Sequence, residues 1–354
     1  MFLKISNPKY VLRSKSQNLK DLTSEILKMA IYYATTKPIS RTSGRSATAS
    51  AAYRAGVKIE DKRSGKTHDY SKRGGVEMAF TFDKNLKKID RSELWNKAEL
   101  AENRKDGRTA REWVLAIPHE LIPEDKDKRK DFKQNEGARV AVRFAKALAE
   151  RYNVAVDVAI HTPDKQGDNR NYHAHIMTTT REFSRTDKGI ELGDKAAIEL
   201  SNTKRKALGL SSSTTEIKEL RKEWENIVNT QLEKLGIDER IDHRTLKQQG
   251  IEQKPTIKIG WKASAMERRG IATDKGDLNR EITADNQQLR DLQIEFAALT
   301  EAKTEIENVK EQAKGMQDFK AEYELFKQAQ QQQKLVSQEI EKTHEKQQDR
   351  GIEP

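Results

Sequence analysis

Two short runs constrain this chain more than any other feature. Residues 154–161, VAVDVAIH, set Val154, Val156, Val158 and Ile160 against Ala155, Asp157, Ala159 and His161. Residues 173–180, HAHIMTTT, set His173, His175 and Met177 against Ala174 and Ile176. Period-2 alternation is the pattern of a half-buried strand. If the strands are neighbours and bury their Val/Ile and Ala/Ile faces together, His161, His173 and His175 emerge on the opposite face. The chain has only seven histidines, so three within fifteen residues is a concentration. Neutral imidazoles gathered on a rigid sheet suit a divalent metal with open coordination positions. A lone strand histidine is usually only a partly exposed polar residue, and that reading competes. A structural zinc site is disfavoured because such sites prefer cysteine, which this chain lacks.

The elements around these strands read as strand, helix, strand, helix, strand, helix, strand, strand. Residues 30–35 are expected as the first strand and 43–55 as a helix closed by Gly56. Residues 58–75 are expected as polar turns, and VEMAFTFD as a strand. Residues 91–105 are expected as helix, REWVLAIP as a strand, and 134–152 as an amphipathic helix through Val140, Phe144 and Leu148. This order predicts an α+β fold, an antiparallel sheet packed against helices in a sandwich. A further helix is expected over 214–237. Four domains follow: an extension over 1–28, a catalytic domain over 29–205, a helical and basic continuation over 206–280, and a coiled-coil-like tail over 281–354. Met29 is read as the domain start and a candidate translation start. Within the tail, Leu289, Leu292, Phe296 and Leu299 keep a 3–4–3 seam. The later Gln-rich tract lacks one, so the tail is expected as a long helix fraying into disorder.

Charged residues make up 35% of the chain and hydrophobic ones 34%, too polar for one compact globule of 354 residues. The net charge of +11 favours a polyanionic partner, nucleic acid or acidic membrane. Absence of cysteine excludes disulfides. With no long apolar run and no signal-peptide core, no membrane insertion is expected and the protein is read as cytoplasmic.

A metal on a basic protein suggests phosphate chemistry, which needs a nucleophile. Tyr53 is the side-chain candidate. On its helix the preceding positions of the same face are Ser50, Ala49 and Ser46, so the ring has room for a strand beside it. Arg45 and Arg54 are candidates to bind DNA phosphates. Ala47 and Ala51 form another stripe, suited to packing on a sheet. The competing reading is a tyrosine that fills space. Glu112 alternates with Trp113, so if Trp113 packs inward the carboxylate faces the histidine side, as a base or as a support for a ligand histidine. Asp61, His68 and Tyr70 make a further polar group without a readable role. Gly65-Lys66-Thr67 is not a phosphate loop, because the required earlier glycine is Glu60. The basic stretch 243–275 is either a nucleic-acid contact or a solvated face.

Several blocks occur together in order: MAIYYATTKPISR, SATASAAYRAG, GKTHDYSKRGGVE, REWVLAIPHEL, VDVAIHTPDKQGDNRNYHAHIMTTTR and RIDHRTLKQQGIEQKPTIKIG. Over about 29–280 they resemble the MobA/MobL family of plasmid conjugation relaxases. The resemblance implies a relaxase-type sandwich with Tyr53 as nucleophile, His161, His173 and His175 as metal ligands, and Glu112 as the accompanying acid. It implies a divalent cofactor, Mg²⁺ or Mn²⁺, and transesterification at a plasmid transfer origin, leaving a 3′-OH and a 5′-phosphotyrosyl link. Implied partners are single-stranded origin-of-transfer DNA, auxiliary relaxosome proteins and a secretion coupling protein. The first 28 residues have no counterpart in that pattern. The helicase or primase domain of some members is not expected here. A metal-dependent nuclease using water and a non-catalytic DNA-binding scaffold protein are the alternatives.

Overall fold

The computed structural model describes residues 30–164 and 168–348. Five strands form one antiparallel sheet: β1 (Ala34–Ser40), β4 (Val76–Phe82), β5 (Arg108–Ala116), β6 (Val156–His161) and β7 (His173–Thr179), in the order β1-β5-β7-β6-β4. Helices cover both faces, so the fold is α+β. On one face Trp113, Leu115, Val158, Ile160 and Ile176 pack against α4 (Glu136–Tyr152) and α6 (Ser213–Lys234). Phe144 stands edge-on between Trp113 and Trp224, with centroids 5.7 Å from each. Burying each such side chain contributes roughly 1.5–3 kcal/mol. Asn135 caps α4 by accepting from the Ala138 N–H at 2.9 Å. The other face carries Ile39, Ala110, Ala155 and Met177, covered by α1 (Ala47–Ala55) and α2 (Arg91–Leu100).

This double cover alters the expected character of β6. It is buried along its whole length rather than half-buried, because it is an interior strand. Besides His161, its apparent polar face carries Ala155 and Ala159, whose small side chains leave room for the covering helices, and Asp157. That carboxylate accepts from Arg91 and from Trp95 Nε1, both at 2.8 Å.

Two other expectations are corrected. The first strand runs over Ala34–Ser40, not 30–35. It lies at the sheet edge, where Pro38 is tolerated despite lacking an N–H. Residues 58–75 are not all turn, since β2 (Lys58–Asp61) and β3 (Lys66–Asp69) form a hairpin. Its one buried apolar residue, Ile59, joins the α1/α2 cluster, too little to register as periodicity. A second unanticipated hairpin, β8 (Arg181–Thr186) and β9 (Gly189–Lys195), is anchored there by Phe183 and Ile190.

The remaining helices are α3 (Lys126–Lys130), α5 (Asn202–Ala207), α7 (Trp261–Glu267) and α8 (Asp274–Gln348). The chain divides into two units between Leu278 and Asn279. In the second unit α8 does not fray at the Gln-rich tract but continues to Gln348, as the good helix propensity of Gln permits. Leu292, Phe296 and Leu299 of the expected seam are exposed. The N-terminal extension and residues 349–354 lie outside the described residues.

Candidate metal centre and nucleophile

The register of β6 and β7 pairs His161 with His173 and Ala159 with His175, so all three imidazoles share one face. Their ring centroids lie 4.7, 5.2 and 5.3 Å apart. One nitrogen from each ring lies within 4.8 Å of the others.

Each ring commits its other nitrogen to an acceptor. His161 Nε2 lies 2.7 Å from the Arg54 carbonyl oxygen, and His173 Nδ1 lies 2.9 Å from that of Asn171. His175 Nδ1 lies 2.7 Å from Glu112 Oε1. Carbonyls and carboxylates only accept, so these nitrogens carry the protons. A neutral ring then retains one lone pair: Nδ1 of His161 and Nε2 of His173 and His175. Burial is the leading reason that all three rings are hard to protonate. It takes His161 down to about 3, helped by the neighbouring His175. His173 is lowered by burial. His175 is also lowered by burial, which outweighs the opposing pull of Glu112. Three neutral donors with oriented N–H groups fit a divalent transition ion.

Glu112 lies on β5 with its side chain only 2% exposed. Burial by itself would raise its carboxyl, but donors from His175 and Arg54 outweigh that and hold it at about 2. Arg54 Nε donates to Glu112 at 2.6 Å, and Arg54 Nη1 donates to the Ser50 carbonyl at 2.9 Å. Arg54, expected on DNA, thus has two of its guanidinium nitrogens engaged within the protein.

Tyr53 immediately precedes Arg54 on α1. Ser46 caps this helix at the Ala49 N–H, and Gly56 ends it in the left-handed region at φ 64°. Glu99 takes the Ala47 N–H at 2.5 Å, fixing the helix start. Tyr53 is 45% exposed. Tyr70 stands perpendicular to its ring at 5.2 Å, and the Arg73 guanidinium lies over it at 3.8 Å. Both come from the stretch HDYSKRGG, whose alternation is too short to reveal that it folds back over α1.

Two clefts meet here. One, of about 610 Å³, is lined by His173, His175, Tyr33, Lys37, Arg45 and Lys258 among others. The other, of about 520 Å³, includes Tyr53, Arg63, Lys66 and His68. Both share Arg45 and Arg54. Lys37 is lowered first by burial, with Arg45, Lys258 and Arg54 adding repulsion. Tyr33 and Lys37 carried no sequence signal, since single residues far apart in the chain converge only in the fold, whereas Lys258 belongs to the basic stretch 243–275. Asp61 is structural, accepting from Thr48 at 2.7 Å. A second acid and histidine group, Glu225, Asp242 and His243, is internally satisfied by contacts from Arg244 to Asp242 and from His243 to Glu225.

A sheet-borne histidine trio beneath a tyrosine-bearing helix defines an α+β protein with a candidate metal centre. The chain belongs to the MobA/MobL family, whose model matches residues 45–269. It is 36% identical over 266 residues to mobilization protein MobL of Acidithiobacillus ferridurans, covering 68% of this chain and 65% of that protein. It is 29% identical over 301 residues to a probable mobilization protein MobA of Bifidobacterium longum, covering 77% and 50% respectively. The chain therefore spans less than two thirds of either relative. A solved structure described as the molecular basis of vancomycin resistance transfer in Staphylococcus aureus is 29% identical. It covers 61% of this chain and 100% of that one, with a TM-score of 0.45. Among the described residues no helix is long and apolar enough to cross a membrane.

Proposed function

We propose that this chain is a DNA relaxase that nicks one strand at a plasmid transfer origin through Tyr53. The observation that carries the reading is the bonding of Arg54. Its carbonyl takes the His161 N–H while its guanidinium grips Glu112, which holds His175. The residue beside the nucleophile is thereby bolted to two of the three proposed ligands. Family membership and the relatives' names, which concern mobilization, point the same way.

In this mechanism the scissile phosphodiester lies between the Tyr53 hydroxyl and the trio. Tyr53 Oη forms a bond to phosphorus as the bond to O3′ breaks. The phenol proton leaves to solvent, to which the half-exposed ring is open, and the departing O3′ takes one up. His161, His173 and His175 would hold a divalent ion. Such an ion polarises the phosphoryl oxygens and offsets their growing charge. Three imidazoles suit Mn²⁺ and later transition ions better than Mg²⁺, which favours oxygen ligands. Glu112, held at about 2, is too weak a base to take the phenol proton near neutral pH. We assign it the positioning of His175. In-line displacement puts the leaving oxygen opposite Tyr53. The strand 5′ to the nick then follows the cleft of Tyr33, Lys37 and Lys258. Arg45, common to both clefts, contacts phosphate near the junction.

Single-stranded origin DNA labelled at either end, run on a denaturing gel with and without proteolysis, tests this. Wild type should leave protein on the 5′ end, whereas Tyr53→Phe should bind DNA without nicking it. Nicking by Tyr53→Phe at the wild-type rate overturns the assignment. Cleavage without attached protein identifies a nuclease using water. Unchanged function with alanine at all three histidines identifies a scaffold.

A further inference from the structure

Arg73 is a cation placed for chemistry, and the sequence pattern gave it no role. Its guanidinium lies 3.8 Å from the centroid of the Tyr53 ring and donates a hydrogen bond to the Tyr53 carbonyl. The carbonyl of the next residue, Arg54, takes the His161 N–H at 2.7 Å, one peptide unit from the carbonyl that Arg73 holds. The group therefore lies near both the nucleophile and the proposed ligands.

Its ion pairing differs from that of its neighbour. Arg54 is neutralised by Glu112 at 2.6 Å, whereas among the described residues no carboxylate forms an ion pair with Arg73. The loop is firmly seated. The Arg73 N–H donates to the Tyr70 carbonyl at 2.9 Å, and the Thr162 N–H, next to His161, donates to the Gly75 carbonyl at 3.0 Å. Gly56, closing the nucleophile's helix, lets this loop approach. A Cβ there would meet Val76 Cγ2 at 3.3 Å and the Arg73 carbonyl at 3.7 Å. An uncompensated guanidinium on a fixed loop, beside a phenol and three imidazoles, matches an oxyanion that arrives with the substrate.

We propose that Arg73 is a catalytic residue whose guanidinium binds a non-bridging oxygen of the scissile phosphate as that phosphate passes from O3′ to Tyr53 Oη. The inference rests on the nicking reaction proposed above. Arg73 stays protonated throughout. It meets the charge that grows on the equatorial oxygens and remains beside the phosphotyrosine for the reverse reaction.

The test compares full-length wild type, Arg73→Gln and Arg73→Lys, each loaded with Mn²⁺, in single-turnover nicking of an origin oligonucleotide. Binding to the same DNA is measured separately. Removing one such donor should slow nicking on the order of a hundredfold, with a much smaller change in affinity. Lysine should recover part of the rate, because it keeps the charge but loses the planar fork. A methylphosphonate at the scissile position removes the anionic oxygen. On that substrate the ratio of wild-type to Arg73→Gln rates should collapse toward one. Packing of the Tyr53 ring alone would leave the ratio unchanged, and that result overturns the proposal, as does wild-type nicking by Arg73→Gln. If Arg73→Gln fails to fold, Arg73→Lys on both substrates decides by the same ratio. Nicking by Tyr53→Phe would instead sink the underlying reaction, so the two failures are distinguishable.

Discussion

Glu112→Gln removes a charge from the most interdependent point of the site. The carboxylate is almost completely buried and accepts from both Arg54 and His175. Its fall from 4.5 to about 2 corresponds to about 3 kcal/mol of favourable interaction in the folded state. The amide keeps the shape but leaves the Arg54 guanidinium without its counter-charge, so the predicted loss is of that size. At ~2–4 °C per kcal/mol for a domain of this class, the melting temperature should drop by about 6–12 °C. The pH dependence gives a sharper check. A carboxylate depressed by folding stabilises above its ordinary range, and the benefit is lost as pH falls toward its folded value. The gap between wild type and Glu112→Gln should therefore be full at neutral pH, stay level down to about 4.5, and close below that. Thermal unfolding followed by circular dichroism across that range measures it. Equal melting temperatures at neutral pH, or a gap that already narrows between neutral pH and 5, would refute the reasoning. Metal titration of the same variant should show affinity weakened roughly 10–100-fold, as for other residues that orient a ligand histidine.

Three further outcomes are expected. In thermal scans with Mn²⁺ at a hundredfold excess over Kd, wild type should gain about 2.7 kcal/mol, while His173→Ala should gain far less; equal gains would place the ion elsewhere. Gly56→Ala forces an alanine into φ 64° with its Cβ 3.3 Å from Val76 Cγ2, which should cost about 1–2 kcal/mol in chemical denaturation; a neutral result would mean the turn relaxes freely. Tyr33→Ala removes an exposed ring, 42% accessible, from the larger cleft. It should weaken binding of single-stranded DNA by about 1–3 kcal/mol, read by fluorescence anisotropy, and an unchanged affinity would take the strand off this path.

Legibility in the sequence followed the length of each pattern. The long alternations of β6 and β7 carry their pairing and the side on which the histidines face. Trp113, by packing inward, carries the direction of Glu112. The α4 stripe of Val140, Phe144 and Leu148 is equally plain. The hairpins β2–β3 and β8–β9 are short, and each buries one or two apolar residues, so local spacing cannot separate them from turns. Pro38 concealed the course of β1, because a proline looks like a strand end until its edge position is known. Double cover of β6 could not be read because Asp157 appears solvated until Arg91 and Trp95 are found against it. Arg73 and Tyr33 were invisible because their neighbours are distant in the chain, and Lys258 showed only as one charge of the basic stretch 243–275.

Since Arg54 follows Tyr53 directly and its carbonyl holds His161, one peptide unit separates the proposed nucleophile from the support of a proposed ligand. Swinging the phenol outward would loosen the orientation of that imidazole, and tightening the imidazole on an ion would draw the phenol back. Linkage requires the exchange to be mutual: whatever factor the ion adds to DNA affinity, the nucleic acid must return to the ion. A protein wired this way would grip its cation most firmly while its strand is in hand.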